Sequence, residues 1–124
     1  MIGFPSTFSN PDNLIPVLEK YPDLTVIGAH LGGWSIWKEA CKVYKDYPNF
    51  YVDCSSSLYQ LSSEKAMEII RAYGADKVLF GSDYPMWPYE DELERFYNIG
   101  LSDDEARMIL YENAVGLFDI DKNK

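Results

Sequence analysis

Three tyrosines constrain the architecture more than any other feature. Tyr21, Tyr47 and Tyr73 stand 26 residues apart, and each closes a helical pattern. Tyr21-Pro22-Asp23 and Tyr47-Pro48-Asn49 are nearly the same stop signal, and Tyr73-Gly74 ends a helix on a glycine. A short β-rich apolar run follows each stop, over residues 24–29, 50–52 and 78–80. Runs that are apolar on both faces predict strands covered on both sides. Strand, loop and helix recur at a near-constant period, and parallel strands require such crossover helices. The chain is therefore expected to be α/β, with about three to four parallel strands and flanking helices; residues 1–4 are the fourth candidate strand.

The helical intervals carry their own signals. Residues 12–20 form a helical pattern after Asn10-Pro11. Ile36, Trp37, Ala40, Cys41 and Tyr44 make one apolar stripe, and Ala66, Ile69, Ile70 and Tyr73 make another that opens at Ser62 or Ser63. Ser102 with Glu105 predicts a capping box, with Ala106, Ile109 and Leu110 facing inward. Shorter helices are expected over residues 91–98 and 113–118, and the polar tail 119–124 is expected to fray. No linker or low-complexity segment interrupts the chain, so residues 1–124 are read as one domain.

Composition narrows the partners. Eleven Lys and Arg against 20 Asp and Glu leave a net charge of −9. Phosphate backbones and anionic lipid would repel such a chain, so nucleic acid and membrane surfaces are poor partners. The acidic stretch from Glu90 to Glu94 reads as a solvated helix start. The N-terminus lacks the basic and apolar regions of a secretory signal, and no apolar run approaches a membrane span. Two cysteines, Cys41 and Cys54, then predict reduced thiols and a cytoplasmic home.

Function in parallel α/β folds collects at the C-terminal ends of strands. The first strand ends in Gly28-Ala29-His30-Leu31-Gly32-Gly33-Trp34, the second in Val52-Asp53-Cys54-Ser55-Ser56-Ser57, the third in Gly81-Ser82-Asp83-Tyr84-Pro85. His30, the only histidine, can ligate a metal, move a proton or polarise a carbonyl; it can equally be a structural histidine bonded to a nearby loop. Asp83 follows a buried run and needs a partner: a metal, a substrate group or loop amides. Asp53 lies at a strand end too, but strand alternation points it away from the pocket. Ser55, Ser56 and Ser57 read as a polar loop rather than a nucleophile, for no Gly-x-Ser-x-Gly elbow is present. Trp34, Ser55, Tyr84 and Trp87 are the candidates for walling a substrate pocket. One histidine and two distant cysteines exclude a structural zinc site, and neither a Walker loop nor Gly-x-Gly-x-x-Gly occurs.

These motifs together resemble the amidohydrolase-related family of metal-dependent hydrolases and decarboxylases, whose members are (β/α)₈ TIM barrels. The stretch from Tyr21-Pro22-Asp23-Leu24 to Ala29-His30-Leu31-Gly32-Gly33 is similar to the family's sixth strand. Pro48-Asn49-Phe50-Tyr51-Val52-Asp53 resembles the seventh, Val78-Leu79-Phe80-Gly81-Ser82-Asp83-Tyr84-Pro85 the eighth, and Asn113-Ala114 the C-terminal Asn-Ala pair. The resemblance implies that Asp83 binds a catalytic divalent metal, usually zinc, and can take a proton from the attacking water. It implies that His30 sits beside that metal, contacting substrate or moving a proton, as a second candidate ligand. A metal-bound water has its pKa lowered to about 7, which makes hydroxide available at neutral pH.

A complete barrel of this kind needs about 250 residues, so 124 correspond to its C-terminal half. The family's first-strand His-x-His is missing, and Met1 stands where the fifth strand supplies a ligand. The resemblance thus implies a hydrolase acting on a small carboxylated or cyclic substrate. A decarboxylase of the same family is the alternative, and the isolated chain is expected to be inactive. A rival expectation is a non-catalytic half-barrel scaffold. Uncovered strand faces and open sheet edges predict self-association in either case.

Overall fold

The computed structural model describes residues 11–33 and 35–119. The elements run α1 (Pro11–Lys20), β1 (Val26–Gly28), α2 (Trp37–Tyr44), β2 (Phe50–Asp53), α3 (Ser63–Tyr73), β3 (Val78–Leu79), α4 (Tyr89–Asn98), α5 (Asp103–Arg107) and α6 (Asn113–Phe118). The strands form one parallel sheet in the order β1-β2-β3. Gly28 stands level with Val52, and Val52 with Val78, so all three strand ends open on the same side. The proposed strand over residues 1–4, the Met1 position and the end of the tail lie outside the described residues.

Both predicted stripes face the core. Trp37, Ala40, Cys41 and Tyr44 of α2 are buried, as are Ala66, Ile69, Ile70 and Tyr73 of α3. They close on Phe50, Val52 and Val78 of the sheet, with Tyr44 stacked on Phe50 at a centroid distance of 4.2 Å. The expectation of strands covered on both faces holds for β3 but fails for β1. Ile27 is 37% exposed and its partner across the sheet, Tyr51, is half-buried, because no described element covers the face they share. Both thiols are buried and unpaired. Burial pushes the Cys54 thiol up to about 12, which makes it inert. No helix among the described residues is long and apolar enough to cross a membrane.

In the C-terminal third one expectation holds with an addition and one needs correction. First, residues 113–118 form the expected helix, α6, but it continues directly from the one before. α5, opened by the Ser102–Glu105 capping box, runs through a widened π turn (Met108–Glu112) directly into α6. The turn brings the Ile109 carbonyl to the amide of Phe80, 3.0 Å away. Asn113 then clamps the same strand from its other end, donating to the carbonyls of Ala75 at 2.6 Å and Val78 at 2.8 Å. This π turn and its asparagine hold the strand that leads to Asp83. Second, the acidic stretch is not wholly solvated. α4 starts at Tyr89, and its amphipathic spacing puts Glu92 beside Phe96 on the buried face. Glu92 is fully buried, with Oε1 accepting from Arg95 at 2.6 Å. Its Oε2 has no partner among the described residues.

A carboxylate of the opposite kind ties α3 to α5. Arg71 donates to both oxygens of Glu105 at 2.9 Å, and the Ser102 amide donates to Oε1 at 3.0 Å. The Arg71 guanidinium, helped by that amide, holds the Glu105 carboxyl down to about 2. Its folded value lies below the unfolded one, so the associated stability is present above the usual carboxylate range. It is lost as pH falls through that range towards about 2. Glu105→Gln is expected to lower the urea midpoint at neutral pH, where that stability is present, and to flatten the acid side of a plot of midpoint against pH. An acid limb as steep as that of the parent chain would contradict this assignment.

Candidate functional site

The three strand-end loops meet through the second of them. Asp53 Oδ1 accepts from the amide of His30 at 3.2 Å, the amide of Ser55 at 3.0 Å and the hydroxyl of Ser55 at 2.5 Å. His30 Nδ1 lies 3.0 Å from both the carbonyl and the hydroxyl oxygen of Ser55. The single Ser55 proton is directed to Asp53, and a carbonyl can only accept. Nδ1 is therefore the protonated nitrogen of the neutral ring. Nε2 is left with a lone pair, able to accept a proton and, once protonated, to give one back.

Ser57 supports the same carbonyl. Its hydroxyl donates to the Ser55 oxygen at 3.0 Å and accepts from the Trp37 indole at 2.8 Å. Ser56 reaches the third loop instead, donating to Asp83 Oδ2 at 2.7 Å. The serine run is thus a buried hub, with Ser55 5%, Ser56 7% and Ser57 0% exposed, rather than a solvated loop. Each hydroxyl proton is already committed, and Ser55 is bonded to Asp53 before it meets the histidine. That order is not the one a nucleophilic triad needs, where the base contacts the serine and the carboxylate orients the base.

The backbone at this end of the sheet is held in an uncommon conformation. His30 (φ 58°), Leu31 (φ 52°), Ser56 (φ 48°) and Asp83 (φ 60°) are all left-handed, although none is glycine. Such residues cost of order 1–3 kcal/mol each and persist only where the surroundings enforce them. Here they fall on all three loops that carry the candidate groups. The Tyr73 hydroxyl enforces the first, donating at 3.0 Å to the carbonyl of Leu31 from beneath the turn.

The structure brings His30 and Asp83 to the same sheet end and links each to the serine hub. Trp87 is half-buried, its ring tilted at 31° to that of Tyr59 with centres 4.7 Å apart, and its indole donates to Ser56 at 3.0 Å. Tyr84 is 81% exposed on the rim beyond Asp83. Trp34 lies outside the described residues. Asp53 does not point away, contrary to the alternation argument, because β2 ends at Asp53 and its carboxylate turns back to cap the next loop. Asp53 and Ser56 are the two residues whose part the sequence reading missed. The available signal was chemical: three hydroxyls following a buried strand need partners, and the strand ends offer a carboxylate on the same loop, Asp53, and one on the next, Asp83.

A metal would need more than these loops offer. Among the described residues, no three His, Cys, Asp or Glu side chains lie together where they could hold an ion. His30 Nε2 and the Asp83 carboxylate supply two donors, fewer than the three protein ligands of a catalytic zinc site. The described residues therefore do not complete a metal centre.

A parallel sheet with crossover helices and its polar groups gathered at the strand C-termini defines this molecule as part of a TIM barrel. The amidohydrolase family profile matches residues 1–120, and the chain belongs to that family. Among curated proteins it is 26% identical over 125 residues to a gamma-resorcylate decarboxylase of Polaromonas, covering 86% of this chain and 37% of the relative. Among solved structures, an uncharacterised TIM-barrel protein of Bordetella bronchiseptica superposes with a TM-score of 0.80 at 32% identity, over 91% of this chain and 40% of that one. A dihydroxybenzoic acid decarboxylase of Polaromonas, solved with manganese and 2-nitroresorcinol, gives a TM-score of 0.65 at 23% identity, over 83% and 36%. An amidohydrolase of Burkholderia multivorans with bound zinc gives 0.71 at 13%, over 90% and 49%. At these last two identities the likeness speaks for the fold alone. The chain spans about two-fifths of the length of the first relatives it matches. The family is enzymatic and has both decarboxylase and hydrolase members.

Proposed function

We propose that this chain carries the C-terminal share of the active site of a decarboxylase acting on small hydroxylated aromatic acids. One feature of the geometry carries the reading: the partners of His30 make Nδ1 the protonated nitrogen and leave Nε2 without a hydrogen bond among the described residues, on the same loop hub that holds Asp83. Loss of CO₂ leaves the C–C electron pair on the ring carbon, and that carbon must gain a proton. An imidazolium Nε2 held in place by Ser55 and Asp53 is suited to deliver it. The likeness to gamma-resorcylate decarboxylase supports this substrate class. Hydrolysis is the second reading, favoured by the match to the amidohydrolase family profile; there the same Nε2 would take a proton from water. In either reading a divalent metal would need donors from outside the described residues, and the chain supplies part of a site.

Turnover tests this. The 124-residue chain supplied with Mn²⁺ or Zn²⁺ is expected to release no CO₂ from a dihydroxybenzoate and to open no lactone. Fused to the N-terminal half-barrel of a relative it is expected to turn over one of them, and the product chooses between the readings. His30→Asn in the fusion keeps an amide donor near the Nδ1 position but has no Nε2, and turnover should fall about 100-fold. Robust turnover by the chain alone would overturn the shared-site reading, and an unchanged rate in His30→Asn would overturn the histidine's role.

A further inference from the structure

Asp83 is 27 residues from Ser56 in sequence, yet Ser56 makes the hydrogen bond that holds its carboxylate among the described residues. We propose that Ser56 and Trp87 are positioning residues that fix which oxygen of Asp83 faces the reaction space, an inference that rests on Asp83 being a site group. The argument is one of hydrogen-bond polarity. An indole nitrogen can only donate, and an ionised carboxylate can only accept. Trp87 Nε1 lies 3.0 Å from Ser56 Oγ, and Ser56 Oγ lies 2.7 Å from Asp83 Oδ2. The indole proton occupies a lone pair of the serine oxygen, so the serine's own proton is turned towards Asp83. Oδ2 is thereby tied down, and Oδ1 is the oxygen left to meet a ligand.

Three further observations bear on this chain of bonds. Ser56 is buried while Asp83 is exposed, so water reaches the carboxylate but has little access to the serine hydroxyl that holds it. Ser56 and Asp83 are both left-handed, which turns the two loops towards each other at a backbone cost that needs a compensating contact. Trp87 is itself held by two neighbours, by Tyr59 with ring centres 4.7 Å apart and by the Arg95 guanidinium 5.1 Å from its ring centre. Arg95 is in turn anchored by the buried Glu92. Rigid helix α4 is thus connected, through one aromatic ring and one hydroxyl, to the carboxylate at the end of β3.

Nuclear magnetic resonance of the chain tests the proposal without any metal or substrate, reading the Trp87 indole N–H. Ser56→Ala should move that signal upfield and speed its exchange with solvent by on the order of fivefold, the worth of one hydrogen bond. The decisive variant is Asp83→Asn. Asp83 makes no hydrogen bond to Trp87 among the described residues, so a shift carried by the serine should follow Asp83→Asn in the parent chain and be largely lost in the Ser56→Ala background. An indole signal unmoved by Asp83→Asn, or by Ser56→Ala, overturns the proposal. Trp87→Phe keeps an aromatic ring beside Tyr59 and Arg95 and removes the donor. In the half-barrel fusion it should lower kcat by about 10-fold with KM little changed. A KM change at constant kcat overturns the positioning role. A fusion with no turnover, in a chain whose indole responds to Asp83→Asn, counts against the active-site reading and in favour of the bond chain.

Discussion

Gly32→Ala is expected to destabilise the folded chain by about 3 kcal/mol, measured as a drop in the urea midpoint. Gly32 has φ 91°, where an L side chain is strained. A β-carbon there would also sit 2.5 Å from the Tyr73 hydroxyl and 3.4 Å from the β-carbon of Ala40. The hydroxyl cannot retreat freely, because it is bonded to the carbonyl of Leu31 and Tyr73 is only 6% exposed. Backbone strain of about 1–3 kcal/mol therefore adds to a lost hydrogen bond of about 1 kcal/mol. Tyr73→Phe alone should cost about 1 kcal/mol and, in the Gly32→Ala background, should cost less, because the steric conflict is relieved. Strict additivity of the two substitutions would show that the conflict is not with the hydroxyl. The site consequence is direct: the same hydroxyl holds the turn that presents His30.

Arg95→Ala is expected to cost about 3 kcal/mol at neutral pH. That is the low end for breaking a buried ion pair, since Arg95 keeps about a third of its side chain in water. The substitution leaves Glu92 fully buried with neither oxygen satisfied by the described residues. Burial already pushes the Glu92 carboxyl up, and the Arg95 hydrogen bond and charge oppose that push. Without Arg95 the folded value rises further above the unfolded one. The folded state then binds the extra proton, so stability falls as pH rises through the raised value and recovers in acid. This slope is opposite in sign to the one carried by Glu105. Glu92→Gln in the Arg95→Ala background should remove the pH dependence and restore part of the stability. A loss that is independent of pH would assign the cost to the packing of Arg95 on Trp87 instead.

The helical and strand pattern was legible because it rests on local chemistry. The Ser102–Glu105 box and the α2 and α3 stripes were readable because caps and periodicity act within a few residues. The burial of Glu92 was less so, since a local run of four carboxylates suggests solvent, and only its spacing to Phe96 shows the inner face. The π turn left no mark, because it follows from the demand of β3 for a carbonyl at Ile109.

The candidate site divides in the same way. The sequence by itself determined the parallel βα ladder and the sheet end at which polar groups collect, and strand direction puts the candidate groups His30 and Asp83 at that end. Only the tertiary structure decided what holds the pair. Asp53, Ser55, Ser56 and Trp87 act across separations of 2 to 31 residues, through hydrogen bonds whose polarity is set by which partner must donate. Periodicity reports which face a residue lies on. It carries no information about the direction of a buried hydroxyl, which depends on every donor and acceptor that the fold brings within reach.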